Sequence, residues 1–270
     1  MIPYAFNYHR AASVAEAQAL FAKAPEAKFL AGGQTLIPAM KQRLASPSDL
    51  IDIAALSELS LIEERGGTVV LGAATRHADV AGSVLVCSRI PALAKLAEEI
   101  GDPAVRNMGT LGGALATSDP AADYPAAVLG LGATVATAKQ SIAADSYFLG
   151  LFQTALADGE IITQVAFPIP RRAGYAKFRN PASHYAIVGV FVAATAAGVR
   201  VAVTGAGPCA FRIAEMEDAL TQRFVPDAIA GIRIPAEDLN SDLHASAEYR
   251  AHLVTVMAKR AVAAALRDDS

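Results

Sequence analysis

A glycine turn at Gly32-Gly33 constrains the fold of this chain more than any other feature of its sequence. Residues 28–31 form a short apolar run before it, and apolar residues recur at helical spacing after it, at Leu36, Ile37, Met40 and Leu44. This order predicts a strand, a tight turn and a helix. Glycine lets the backbone take positive φ and approach a ligand closely. Successive backbone N–H groups at such a turn bind anions, so we predict a phosphate site, the simpler alternative being only a tight turn.

A second glycine-rich turn spans residues 109–114 and is followed by Thr117 and Asp123. Neither turn has the spacing of a dinucleotide-binding GxGxxG or a phosphate-binding GxxxxGK[ST] sequence. Two such turns in one domain suit a ligand with two phosphates, held from both sides. Asp123 precedes Tyr124-Pro125, so its carboxylate is expected to cap the next helix, to bind the ligand, or to do both.

The remaining pattern predicts mixed strands and helices in two blocks. The first block has strands near residues 50–53, 69–73, 134–138 and 161–167, and helices near 92–100, 125–131 and 148–156. A Pro-x-Pro-Arg-Arg stretch from Pro168 to Arg172 marks the best boundary. The second block has a β-hairpin at residues 186–204 and helices at 213–222 and 246–266. We therefore predict an α+β fold with domains at 1–170 and 171–270.

Composition excludes several classes of function. The net charge of −3 provides no basic surface, so nucleic acid is not an expected partner. Cys87 and Cys209 lie far apart and are expected to be buried free thiols, because an iron–sulfur cluster needs four ligands. The five histidines lack metal-site spacing. No apolar run is long enough to span a bilayer, so a cytoplasmic protein without a transmembrane segment is expected.

The two turns lie in segments that resemble a known family. LAGGQTLIPAMKQRLASPSDLIDI and VRNMGTLGGALATSDPAADYPAAVLGLGA are similar to the two FAD-pyrophosphate motifs of molybdenum hydroxylase flavoproteins. That family includes medium subunits of aerobic carbon monoxide dehydrogenases and FAD domains of xanthine dehydrogenases. The resemblance continues through FLGLFQTALADGEIIT, GYAKFRNPASHYAIVGV and SDLHASAEYRAHLVTVMAKRAV, and so covers nearly the whole chain.

The resemblance implies a fold and a set of cofactor-binding residues. The fold is a two-part FAD-binding domain of the PCMH type, followed by a smaller α+β domain of the carbon monoxide dehydrogenase flavoprotein type with an antiparallel sheet and C-terminal helices. Tyr185 matches a position near the isoalloxazine ring. The matching positions are Leu30, Ala31, Gly32, Gly33, Gln34, Thr35, Ile100, Thr110, Leu111, Gly112, Gly113, Ala114, Thr117, Asp123, Ile162, Lys177 and Tyr185.

Two departures from the family pattern bear on how FAD is held. Many relatives have His-Ser where Gln34-Thr35 stand, and a polar residue where Ala114 stands. Ala114 therefore contributes only its backbone. A related flavoprotein branch links FAD covalently through a histidine near the first motif. Gln34 is no such nucleophile, so we expect non-covalent FAD.

The function implied by the resemblance is electron transfer within an oxidoreductase complex. FAD would accept electrons from the [2Fe–2S] clusters of a small subunit and pass them to an external acceptor. A large subunit would hold the molybdenum cofactor, in a dimer of heterotrimers. No catalytic residue or metal ligand is assigned to this chain. The alternatives are a stand-alone FAD-dependent oxidoreductase, which needs its own acid–base pair, and a nucleotide-binding scaffold without redox turnover.

Overall fold

A computed structural model describes residues 1–24 and 26–267. The strands are β1 (Asn7–Arg10), β2 (Lys28–Leu30), β3 (Asp49–Asp52), β4 (Ile62–Arg65), β5 (Thr68–Gly72), β6 (Thr134–Thr137), β7 (Ser141–Ala143), β8 (Phe148–Gly150), β9 (Gln153–Thr154), β10 (Ile162–Pro168), β11 (Arg172–Arg179), β12 (Ala186–Thr195), β13 (Gly198–Thr204) and β14 (Phe211–Arg212). The α-helices are α1 (Val14–Phe21), α2 (Leu36–Lys41), α3 (His77–Gly82), α4 (Val84–Arg89), α5 (Pro91–Glu98), α6 (Pro103–Arg106), α7 (Leu111–Thr117), α8 (Tyr124–Leu131), α9 (Ala214–Gln222) and α10 (Ala247–Arg267).

The first glycine turn belongs to a small parallel sheet with the strand order β1-β3-β2. It joins β2 to α2, so the predicted order of strand, glycine turn and helix is confirmed. Helix α1 begins at Ser13, whose Oγ accepts a hydrogen bond from the Glu16 N–H at 3.1 Å. This cap satisfies one of the N–H groups that a helix start leaves unpaired. Ala17 and Ile51 are both fully buried in the core of this unit.

A five-stranded antiparallel sheet with the order β4-β5-β10-β6-β7 forms the second unit. Helices α3, α5, α7 and α8 supply residues to the core that also contains this sheet. Leu71 of β5, Leu93 of α5 and Phe167 of β10 are fully buried there. The end of β5 lies next to the second glycine turn, because the Gly112 N–H donates to the carbonyl of Ala73, the residue after β5.

The third unit is an antiparallel sheet with the order β11-β12-β13-β14. Strand β12 is buried along its whole length. Val190 and Val192 join the core that contains α10, whereas Phe191 and Ala193 join the core that contains α8. Alternate residues of a strand point to opposite faces, so a strand covered on both faces reads as a continuous apolar run. The predicted hairpin at residues 186–204 and the α+β fold class are confirmed.

The helix predicted at residues 148–156 is wrong. This segment is a short antiparallel hairpin of β8 and β9. Phe148 packs its ring edge-on against Tyr147, with centroids 4.9 Å apart, while Leu149 and Leu151 are exposed. This alternation has a strand period, but a short apolar run does not separate the helical period from the strand period. Phe152 takes a φ of +53° in the turn between β8 and β9, a conformation that no continuous right-handed helix contains.

Other predictions need correction or addition. Cys87 and Cys209 are free, but Cys87 is exposed and Cys209 only partly buried, so the expectation of two buried thiols is wrong. Helices α6 and α7 lie between the helices predicted near residues 92–100 and 125–131, where the sequence indicated no regular element. None of the helices described here has the length and apolarity needed to cross a bilayer. Within the same residues, no cluster of His, Cys, Asp or Glu has the makings of a metal site.

Candidate functional site

A cavity of about 550 Å³ lies between the first glycine turn, α7, the start of α8 and the loop between β11 and β12. Its volume is in the range of small-molecule and cofactor sites. Most of the residues assigned from sequence line it, namely Leu30, Ala31, Gly32, Gly33, Gln34, Thr35, Ile100, Thr110, Gly112, Gly113, Ala114, Thr117, Asp123, Ile162 and Tyr185. Two assigned residues, Leu111 and Lys177, lie behind the wall instead. The Leu111 side chain is fully buried in the core, and 1% of the Lys177 side chain is exposed.

The first turn presents free backbone donors to this cavity. Gly33 has a φ of +69°, the left-handed region that glycine tolerates. The N–H groups of Gly33, Gln34 and Thr35 donate to no acceptor among the described residues. Gly32 lies so close to the second turn that a Cβ there would be 2.2 Å from the Met108 carbonyl oxygen. The two turns are therefore in contact, and the first has the free N–H groups that an anion nest requires.

The second turn does not form a matching nest. The Gly112 N–H donates to the Ala73 carbonyl at 2.8 Å, and the Leu111 N–H donates to Thr75 at 3.0 Å. The Gly113 N–H donates to Oγ1 of Thr110, the N-cap of α7, at 3.2 Å. Gly112 lies within α7, where a Cβ would be 2.6 Å from the Cβ of Ala73. This glycine lets α7 pack against the end of β5, so the Leu111, Gly112 and Gly113 N–H groups of the second turn already have acceptors within the protein.

Asp123 does not cap α8, although it stands at the N-cap position. Its Oδ1 accepts hydrogen bonds from the Tyr175 hydroxyl at 2.5 Å and from Lys177 Nζ at 2.9 Å. Burial raises the pKa of the Asp123 carboxyl, and the Lys177 ammonium opposes that rise. The carboxylate therefore reaches the cavity wall as one half of a buried ion pair, with 4% of its side chain exposed.

Lys177 joins three separate segments behind the wall. Besides Asp123, its Nζ donates to the carbonyls of Glu99 at 2.8 Å and His184 at 2.9 Å. These three bonds use all the donors of an ammonium group. Lys177 thus holds the end of α5, the start of α8 and the β11–β12 loop together.

The β11–β12 loop forms one side of the cavity mouth. His184 has a φ of +62°, and its Nδ1–H donates to the Gly101 carbonyl at 2.9 Å. Asn180 Oδ1 accepts hydrogen bonds from the backbone N–H groups of Ala182 and Ser183. Tyr185 follows with 44% of its surface exposed. Burial raises the pKa of the Tyr185 hydroxyl, so the side chain is neutral near pH 7.

His77 lines the cavity but carries no sequence motif that would identify it. Its side chain is 5% exposed, and its ring centroid lies 5.4 Å from that of Tyr124. Burial, and then the positive charge of Arg106, lower the pKa of His77 to about 4, so the imidazole is neutral near pH 7. A single histidine in an apolar surrounding usually packs, which is why the sequence alone did not indicate it.

Comparison with known proteins identifies the family to which this architecture belongs. Residues 4–170 match the FAD binding domain in molybdopterin dehydrogenase. Residues 173–265 match the CO dehydrogenase flavoprotein C-terminal domain. The chain belongs to this flavoprotein family. The resemblance found in the two glycine-rich motifs is thereby confirmed, and the chain carries an FAD-binding domain.

Relatives of this family match the chain over almost its full length. The carbon monoxide dehydrogenase medium chain of Hydrogenophaga pseudoflava is 37% identical, with 98% of each chain covered. The nicotine 6-hydroxylase medium subunit of Paenarthrobacter nicotinovorans is 36% identical over 96% of each. The solved carbon monoxide dehydrogenase from Hydrogenophaga pseudoflava superposes with a TM-score of 0.89, covering 99% of each chain. The chain is therefore an FAD-binding medium subunit of the molybdenum hydroxylase type and belongs to an oxidoreductase.

The cavity suits FAD on chemical grounds. Free N–H groups at Gly33, Gln34 and Thr35 match the anionic oxygens of a diphosphate. Apolar side chains such as Ile100 and Ile162 form much of the remaining wall. Cofactor sites typically combine such an apolar surface with a few directed polar groups. The residues present therefore fit a ligand that joins a diphosphate to flat aromatic groups.

Proposed function

We propose that this chain binds one FAD non-covalently in the cavity and transfers electrons from the [2Fe–2S] clusters of a small partner subunit to an external acceptor. The nest of free N–H groups at Gly33, Gln34 and Thr35 carries this proposal, because it opens into a cavity large enough for a cofactor. When bound, FAD supplies the redox chemistry, and the protein supplies binding, orientation and electrostatics.

The geometry of the cavity wall supports a set of proposed contacts. The diphosphate lies at residues 33–35 and against the contact between Gly32 and Met108. Thr117 and Asp123 bind polar groups of the cofactor, while Ile100, Ile162 and Tyr185 surround the ring. Leu111 is proposed as part of the site because its neighbours in the second motif line the cavity. Lys177 is proposed as part of the site because it binds the Asp123 carboxylate. These assignments extend the family match to individual residues.

The partners are proposed from the relatives' names and from the composition of this chain. The relatives include medium chains and subunits of dehydrogenases. Cys87 and Cys209 alone do not provide the four ligands of a cluster, so the [2Fe–2S] clusters and the molybdenum cofactor belong to other subunits. We propose a small iron–sulfur subunit and a large molybdenum subunit, in a cytoplasmic dimer of heterotrimers. Domains at 1–170 and 171–270 are proposed on the same family match.

A stand-alone FAD-dependent oxidoreductase is the alternative proposal, and the match to medium subunits over nearly the full length disfavours it. Such an enzyme needs a free acid or base beside its substrate. Asp123 is tied to Lys177, and Glu160 accepts hydrogen bonds from Thr137 and Gln140. These carboxylates have structural partners, which favours a cofactor-holding role.

Acid precipitation tests the non-covalent attachment of FAD. We expect all the flavin to appear in the supernatant, at one FAD per chain, because Gln34 offers no nucleophile at the first turn. Absorption and fluorescence of the supernatant measure the released cofactor. Flavin that remains with the precipitated protein would contradict non-covalent binding, and protein purified without flavin that does not bind added FAD would contradict the proposed site.

Replacing Gly33 by valine tests the location of the diphosphate. A β-branched residue at positive φ costs on the order of 1–3 kcal/mol and reshapes the nest, so FAD affinity should fall about tenfold or more. Gly67→Val is the matched control, because Gly67 has a φ of +78° and no atom within 4 Å of its added Cβ. The control should lose comparable stability and keep its FAD affinity. Equal FAD affinities in the two variants would exclude the diphosphate from this turn.

A further inference from the structure

The imidazole of His77 lies directly behind the contact between the two glycine turns. The backbone N–H of His77 donates to the backbone carbonyl of Gly109 at 3.0 Å. A Cβ placed on Gly109 would be 2.6 Å from His77 Nε2. Gly109 in turn touches the first turn, since its Cα would lie 2.7 Å from a Cβ on Gly32. The ring therefore lies beside Gly109, which touches Gly32 of the first turn.

The His77 side chain has no hydrogen-bond partner among the described residues. Its Nδ1 is enclosed and unpaired. Its Nε2 makes no protein hydrogen bond either, yet it is not among the enclosed unpaired atoms, so it retains access to the cavity that the residue lines. Buried polar groups are nearly always paired, and an unpaired one calls for a ligand or a water molecule.

The proton of this neutral ring belongs on Nε2. Buried donors without an acceptor are rarer in proteins than buried acceptors without a donor. Since Nδ1 is enclosed without a partner, a proton there would be an unpaired buried donor. A proton on Nε2 instead faces the cavity, where a ligand oxygen can accept it. Lys28 is the single Lys or Arg of the described cavity wall, so neutral donors dominate its polar surface.

We propose that His77 is a cofactor-binding residue whose Nε2–H donates a hydrogen bond to the diphosphate of FAD at the junction of the two turns. This inference rests on the proposed function and extends it to a residue outside both glycine motifs. The hydrogen bond adds a side-chain donor to the free backbone N–H groups of the first turn. His77 thus compensates for the second turn, whose own N–H groups at Leu111 and Gly112 already have acceptors.

Substitutions at His77 separate hydrogen bonding from packing. His77→Phe keeps an aromatic ring beside Tyr124 but removes the donor, and His77→Gln restores a donor near the position of Nε2. Hydrogen bonds to charged groups are strong, so His77→Phe should weaken FAD binding about tenfold or more. The same variant should bind riboflavin, which has no phosphate, as the wild type does, and His77→Gln should recover most of the FAD affinity. Fluorescence titration of each apoprotein measures the FAD and riboflavin affinities of His77→Phe and the FAD affinity of His77→Gln.

Nitrogen-15 NMR of labelled histidine provides a readout independent of affinity. We expect the His77 ring to be protonated on Nε2, and its Nε2 resonance to shift when FAD or ADP is added. A proton on Nδ1, or an unchanged FAD affinity in His77→Phe, would overturn the proposal. An equal loss of FAD and riboflavin affinity would also overturn it, because that result indicates packing. Failure of the wild type to bind FAD would instead remove the proposed function itself.

Discussion

Replacing Lys177 by methionine is expected to lower the free energy of unfolding by about 3–5 kcal/mol, the usual cost of leaving one partner of a buried ion pair unpaired. Methionine fills a similar volume but removes the three donors that bind Glu99, Asp123 and His184. Urea unfolding of the apoprotein measures the loss. Lys139→Met is the matched control, because Lys139 is exposed, and should change stability by less than about 0.5 kcal/mol.

The pH dependence of this loss identifies its electrostatic origin. The Lys177 ammonium lowers the pKa of Asp123 against the effect of burial, so its removal raises that pKa further. A carboxyl whose folded pKa is raised contributes stability below its ordinary value of 3.8, and loses that contribution as pH rises toward its folded pKa. The deficit of Lys177→Met should therefore be larger at pH 7 than near pH 4. Adding Asp123→Asn should recover part of the deficit at pH 7. A deficit equal at both pH values would contradict the ion-pair account.

Lys177→Met should also alter the cofactor site, although Lys177 does not line the cavity. Lys177 holds the β11–β12 loop through His184, and that loop carries Tyr185 at the cavity mouth. Lys177 also holds the carboxylate of Asp123 at the cavity wall. Loss of these positions is expected to weaken FAD binding as well as stability, and fluorescence titration measures this second effect.

Local features of the sequence predicted the elements that carry the first turn. The apolar run before Gly32 and the helical spacing after it indicated β2 and α2, and both form as expected. The hairpin of β12 and β13 was equally clear, because a strand buried on both faces leaves a continuous apolar run. Such features depend on residues that are close in the chain, so a pattern in the sequence reveals them.

The contacts that define the cavity wall depend on residues far apart in the chain. Lys177 finds its acceptors in three segments, and no spacing in the sequence brings those segments together. The Leu111 and Gly112 N–H groups of the second turn donate to the carbonyls of Thr75 and Ala73, which lie more than 30 residues earlier in the chain. His77 carries no motif, and only the fold places it beside Gly109. Tertiary packing, which periodicity does not encode, decides each of these contacts.

Reduction of the bound flavin by substrate is expected to depend on the partner subunits. The described chain has two free cysteines and no cluster of metal-ligating residues. The relatives are medium chains and subunits of dehydrogenases, and we propose that substrate oxidation takes place on a partner subunit. With FAD bound, the isolated chain should stay oxidised under anaerobic conditions with carbon monoxide, an aldehyde or a purine. Dithionite provides the control that the bound cofactor is reducible.

Anaerobic mixing of the FAD-loaded chain with a pre-reduced [2Fe–2S] subunit tests whether the flavin of this chain accepts electrons from that subunit. The flavin absorption band should disappear on mixing with the reduced subunit, and should persist when the same subunit is added in its oxidised form. Substrate should bleach the band only when both the small and the large subunits are present. Bleaching by substrate with this chain alone, or a band that persists beside the reduced iron–sulfur subunit, would contradict the account.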